Sequence, residues 1–127
     1  MGRWKLNEAK SKFSAGAPIN KMAVYEGAGD SVKVTLDGTG ADGKPSHTEW
    51  TGKFDGKDYP ISGTAAGTRS YTKVDAYTMK FVVKNGSNLS LTGRIVISSD
   101  GKTRTVTAKG NDEGGKKIKF TAVYDKQ

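Results

Sequence analysis

Lys117-Ile118-Lys119-Phe120-Thr121-Ala122-Val123-Tyr124 decides the fold of this chain. Apolar Ile118, Phe120, Ala122 and Tyr124 alternate with Lys117, Lys119 and Thr121, the period of two expected of a β-strand with one wet face. Similar short runs recur back to the N-terminus. They end in glycine-containing turns: Gly29-Asp30, Asp42-Gly43, Asp55-Gly56, Asn85-Gly86, Asp100-Gly101 and Gly114-Gly115. Glycine reaches the positive φ that tight hairpin turns require, so the pattern predicts an antiparallel meander.

The runs fall at residues 2–6, 21–26, 31–37, 46–54, 57–62, 69–74, 78–84, 88–98, 102–109 and 116–125. Between the first two, Asn7 can cap one helical or 3-10 turn before Gly16 and Pro18 stop it. Pro60 lacks an amide donor, which makes 57–62 a sheet rim or an irregular piece. Ten short antiparallel strands leave two raw edges unless the sheet closes, so the expected fold is all-β, an up-and-down barrel. Parity names its interior: Trp4 and Leu6; Met22 and Val24; Val32, Val34 and Leu36; Trp50 and Phe54; Met79, Phe81 and Val83; Leu89, Leu91, Ile95 and Ile97; Ile118, Phe120, Ala122 and Tyr124.

Composition sets the outer limits. At 127 residues with no compositional break, the chain is expected to be one domain, residues 1–127. An apolar fraction of 34% suits a sheet that gives every second position to water, and its β-formers sit in alternating runs, unlike a disordered segment. Without cysteine there is no disulfide, thiolate nucleophile or cysteine metal site, and His47 is the only histidine, so no metal and no cofactor is expected. No run approaches the roughly 18 apolar residues of a membrane span. Met1 against Gly2-Arg3-Trp4 fits a cytosolic protein, or a secreted or periplasmic one whose leader was replaced by an expression start, so the compartment stays open.

A net charge of +8 raises the question of a polyanionic partner. Lys33, Lys80, Lys84, Lys117 and Lys119 fall on the polar phase of separate strands, as solubilising charges on a barrel exterior would. Nucleic-acid binders instead gather charge into a stripe with stacking aromatics, so nucleic acid is the least expected partner.

Gly2-Arg3-Trp4-Lys5-Leu6 as the first of ten strands, with Val123-Tyr124 near the C-terminus, resembles the calycin superfamily of lipocalins and intracellular fatty-acid-binding proteins. Through Trp4-Lys5-Leu6-Asn7, the stretch from Glu49-Trp50-Thr51-Gly52 to Asp58-Tyr59-Pro60, and Ser99-Asp100-Gly101-Lys102-Thr103, the chain looks most like small bacterial lipocalin-like domains. The resemblance implies a small apolar ligand inside the barrel, with Trp4 closing the floor. Fatty-acid-binding proteins grip a carboxylate through an Arg-x-Tyr; here the triplet is Ala122-Val123-Tyr124, so the tyrosine carries over and the cation does not. The two-helix lid is also missing, because residues 7–20 are too few for it.

Tyr124 is expected to point its phenol into the cavity, where it anchors a ligand oxygen or satisfies a buried group. Arg69 and Tyr71 share a face of their strand and form a polar pole, unless the strand frays and Arg69 reaches water. His47 shares phase with Glu49 but lies opposite Trp50, on the exposed rim, and the Gly-Asp pairs lack calcium-loop spacing and read as turns. The expected function is binding of a small hydrophobic molecule, with Met79, Phe81, Leu91 and Ile95 giving apolar area and Tyr124 with Arg69 or Tyr71 giving orientation. The alternative is a metal-free hydrolase of activated carboxylic esters or phosphotriesters, in which Tyr124, Tyr71 and Arg69 are the catalytic candidates.

Overall fold

A computed structural model describes residues 2–14, 19–40, 43–63, 67–85, 89–111 and 116–127. They form eleven strands: β1 (Gly2–Leu6), β2 (Lys12–Phe13), β3 (Ile19–Ala28), β4 (Ser31–Thr39), β5 (Pro45–Gly52), β6 (Tyr59–Gly63), β7 (Gly67–Lys73), β8 (Thr78–Asn85), β9 (Leu89–Ile97), β10 (Thr103–Asn111) and β11 (Lys117–Lys126). Consecutive strands from β3 to β11 pair antiparallel, and β1 joins β3 on one side and β11 on the other, with Leu6 opposite Tyr124. Ten strands therefore close an up-and-down barrel, as the alternation predicts.

β2 is the extra strand. It lies on the same edge of β11 as β1, with Phe13 opposite Phe120 and Lys12 opposite Thr121. The 3-10 turn Glu8–Lys10 steps the chain from one to the other, and the Asn7 side chain caps it by accepting from the Lys10 amide at 3.2 Å. Among the described residues no helix is long and apolar enough to cross a membrane. Gly29, Gly43, Gly56 and Gly101 take φ between 68° and 82° in their turns, the role expected of them. The expected turns at Asp42-Gly43, Asn85-Gly86 and Gly114-Gly115, and the stop at Gly16 and Pro18, lie in whole or in part outside the described residues. β6 contains Pro60 and is regular but short, with three residues paired to each neighbour.

Among the described side chains, which do not include that of Leu89, the core follows parity except in β3. Trp4, Leu6, Val34, Leu36, Trp50, Phe81, Val83, Leu91, Ile95, Ile118, Ala122 and Tyr124 are buried, with Val32, Phe54, Met79, Ile97 and Phe120 packed against them. In β3 the buried pair is Ala23 and Tyr25, not Met22 and Val24. Directly paired antiparallel residues share a face, and Ala23 pairs with both Trp4 and Leu36 while Tyr25 pairs with Val34. Both phases of this strand are apolar, so composition left the choice to the neighbours, and small Ala23 leaves room for the Trp4 indole. A register shift between Asn20 and Met22 sets the phase.

The charge placement also needs correction. Lys33 and Lys84 are dispersed, ion-paired with Glu49 at 3.8 Å and Asp58 at 3.6 Å. Lys80 is on β8 and Lys117 and Lys119 are on β11, but these strands flank only β9 and β10, so the three charges share one side of the barrel with Arg94 and Lys109. Separation in sequence is not separation in space.

Candidate functional site

Inside the barrel two cavities meet at one polar layer. The first, about 140 Å³, is walled by Leu36, Phe81, Val83, Leu91 and Ile95 and carries Arg69, Tyr71, Arg104 and Tyr124. The second, about 190 Å³, lies toward Trp4, Phe54, Met79 and the β7–β8 turn. Tyr25, Ile95 and Arg104 line both and so separate them. Each is smaller than the roughly 300–1,000 Å³ of a typical ligand pocket. The first matches the ~150 Å³ apolar cavity that accepts a benzene molecule.

Arg104 is the centre of the layer. It comes from β10, where it shares phase with buried Val106 and Ala108, and only 4% of it is exposed. Its guanidinium lies 4.4 Å from the centroid of the Tyr25 ring and 5.6 Å from that of Tyr124, and its Nη2 donates to the Tyr25 hydroxyl. Arg69 enters from β7, half-buried, with Nη1 donating to the Tyr71 hydroxyl at 3.3 Å, while its backbone carbonyl accepts from the Trp50 indole at 2.9 Å. Tyr71 is held by aromatic packing on Trp50 at 4.8 Å and Phe54 at 5.4 Å.

Among the described residues the first cavity has two cations and no anion, whereas the second, which Arg104 also lines, takes in Lys73 and Asp75. No carboxylate lines the first cavity among the described residues, and neither arginine takes part in an ion pair there. Arg104 Nη1 and Arg69 Nε are buried without a hydrogen-bond partner. The Tyr25 and Tyr124 faces compensate a cation in part, but a buried guanidinium with an unused N–H is costly.

The phenols respond to burial more than to the cations. Desolvation pushes the Tyr25 hydroxyl far above the ordinary phenol value against the pull of Arg104. It raises Tyr124 to about 12, again opposed by Arg104 and Arg69. Tyr124 spends its proton on the Asn20 backbone carbonyl at 2.6 Å, beside the β3 register shift.

Of the residues singled out in the sequence, Tyr124, Arg69, Tyr71, Phe81, Leu91 and Ile95 converge on the first cavity, and Met79 lines the second. Sequence reading missed Arg104 and Tyr25. The signal for Arg104 was present in the alternation Arg104, Val106, Ala108, and that for Tyr25 was hidden by the misassigned phase of β3. His47 is exposed as expected, but its main partner is Asp37, directly opposite on β4, which accepts at its Nδ1; Glu49 lies 3.5 Å from Nε2. The Asp37 hydrogen bond and charge, then Glu49, raise the imidazole above its ordinary pKa. No cluster of three or more potential metal ligands occurs among the described residues.

No protein-family model matches this chain, and no curated protein matches it.

Proposed function

We propose that residues 1–127 form one calycin-like barrel domain that binds a small, largely apolar molecule carrying one anionic group. The observation that carries this reading is the pair of inward arginines, Arg69 and Arg104, with unused N–H groups and no carboxylate lining the first cavity with them among the described residues. A carboxylate or similar oxyanion accepts charge-assisted hydrogen bonds from these donors and removes the cost of the unpaired cations. Leu36, Phe81, Val83, Leu91 and Ile95 then cover the apolar body.

Cavity size limits the ligand to about one substituted ring or a short chain, unless the Arg104–Tyr25 layer moves and joins the two compartments. Binding is favoured over turnover because the two phenols are displaced away from neutrality, and among the described residues no lysine lines the first cavity. Titrating the ¹⁵N-labelled protein with benzoate and hexanoate tests the location. The amides of Tyr25, Tyr71, Ile95 and Arg104 are expected to shift together and saturate. Perturbation confined to the outer lysine-bearing strands would overturn the reading.

A further inference from the structure

The outer face of β8 to β11 and β2 carries a second feature, independent of the cavity. A furrow of about 840 Å³ runs across these strands. Its floor is the in-register row Gly93, Ala108, Phe120, Phe13. One wall is the row Lys80, Arg94, Thr107, Thr121, Lys12, each residue directly opposite the next. The other is Thr92, Lys109, Lys119 and Ser14, whose hydroxyl accepts from the Lys119 amide at 3.0 Å. Five exposed cations thus flank one groove, with hydroxyls between them and no carboxylate lining it among the described residues.

Stability does not account for this placement. Lys80 faces Arg94 and Lys109 faces Lys119 directly across strand pairs, and like charges there are destabilising. The acids that form ion pairs, Asp37, Glu49 and Asp58, are on β4, on β5 and just before β6, on another part of the barrel. None of the five groove cations takes part in those pairs. Charge added for solubility would be interspersed with the opposite sign.

We propose that this furrow binds the sugar-phosphate backbone of single-stranded nucleic acid. Its occupant must be linear and multiply anionic, because the cations stand on both walls of a groove four strand spacings long, about 19 Å. The wall rows are two residues apart, about 7 Å, too close to seat a duplex whose major groove alone is about 12 Å wide. Thr92, Thr107, Thr121 and Ser14 are donors of the kind that position phosphate oxygens. The cations are point-like lysines with one arginine, and the groove walls bear no aromatic side chain to stack a base, so binding is independent of sequence and dominated by released counterions.

The test uses the whole protein with a fluorescein-labelled oligo(dT) of about twelve nucleotides, followed by anisotropy. A dissociation constant on the order of 10 µM at low salt is expected, with a log–log salt slope of about −3.5 for five contacts, a loss of about a hundredfold between 50 and 200 mM salt. Lys109→Gln/Lys119→Gln should lower the slope to about −2, whereas Lys21→Gln/Lys53→Gln, outside the furrow, should leave it unchanged. Circular dichroism checks the fold of each variant, and Lys12→Gln/Lys80→Gln replaces any that fails. Tighter binding to a duplex of the same length would overturn the proposal. So would binding only to phosphatidylserine vesicles, equal slopes in all variants, or no oligonucleotide binding at low salt.

Discussion

Arg104 stands directly opposite Tyr124 across the β10–β11 ladder, its guanidinium 5.6 Å from the phenol ring centroid. Ala122-Val123-Tyr124 holds no cation of its own, and the neighbouring strand places Arg104 beside its tyrosine. Under the proposed binding role this buried charge is a burden on the empty protein. Arg104→Met preserves apolar bulk and removes the unpaired donor, so the ligand-free variant should be as stable as the parent or more stable by about 1–4 kcal/mol. Denaturant unfolding measures this. A loss of about 2 kcal/mol or more would make Arg104 a structural residue, held by its bond to Tyr25.

Burial holds Tyr25 and Tyr124 protonated in the folded barrel. Unfolded phenols ionise near pH 10, so the stability tied to Tyr124 is complete below about 10 and is lost as pH rises through the folded value of about 12. Absorbance at 295 nm should show Tyr25 and Tyr124 ionising only with alkaline unfolding. Ionisation of Tyr25 and Tyr124 near pH 10 in a protein that is still folded would contradict this.

His47 is the sole histidine, so its NMR titration is unambiguous. Its midpoint should lie above the ordinary value of about 6.5, and Asp37→Asn should bring it back toward that value. Because the folded pKa is raised, its contribution to stability is complete below about pH 6.5 and is lost as pH rises through the folded midpoint. A midpoint at or below 6.5 would remove the Asp37 pairing.

Gly93 marks a close approach within the barrel wall. A Cβ there would collide with the Thr107 carbonyl oxygen and meet the Phe81 ring at 2.8 Å. Gly93→Ala should therefore cost about 1–3 kcal/mol by denaturant unfolding and reduce occupancy of the cavity that Phe81 lines. A neutral effect on both would show that the strand relaxes freely.

Architecture was legible because alternation and turn chemistry agree, as in 117–124 and at Gly29 and Gly101. Half of the polar layer was legible too, since Arg69 and Tyr71 share phase on β7. The rest depended on pairing. Met22-Ala23-Val24-Tyr25 is apolar in both phases, and only its ladders with Trp4, Val34 and Leu36 turn Tyr25 inward. The furrow was likewise hidden: Lys12, Lys80 and Lys119 are distant in sequence and meet only once β11 lies between β10 and β2.

Calorimetric titration of the parent and Arg104→Met with benzoate and with benzyl alcohol tests the central claim most directly. The parent should prefer the carboxylate by tenfold or more, the worth of a charge-assisted hydrogen bond of about 1.5–3 kcal/mol, and the variant should bind both alike. Equal affinity of the parent for the acid and the alcohol, or a preference that survives Arg104→Met, would contradict an anion held at the arginine layer.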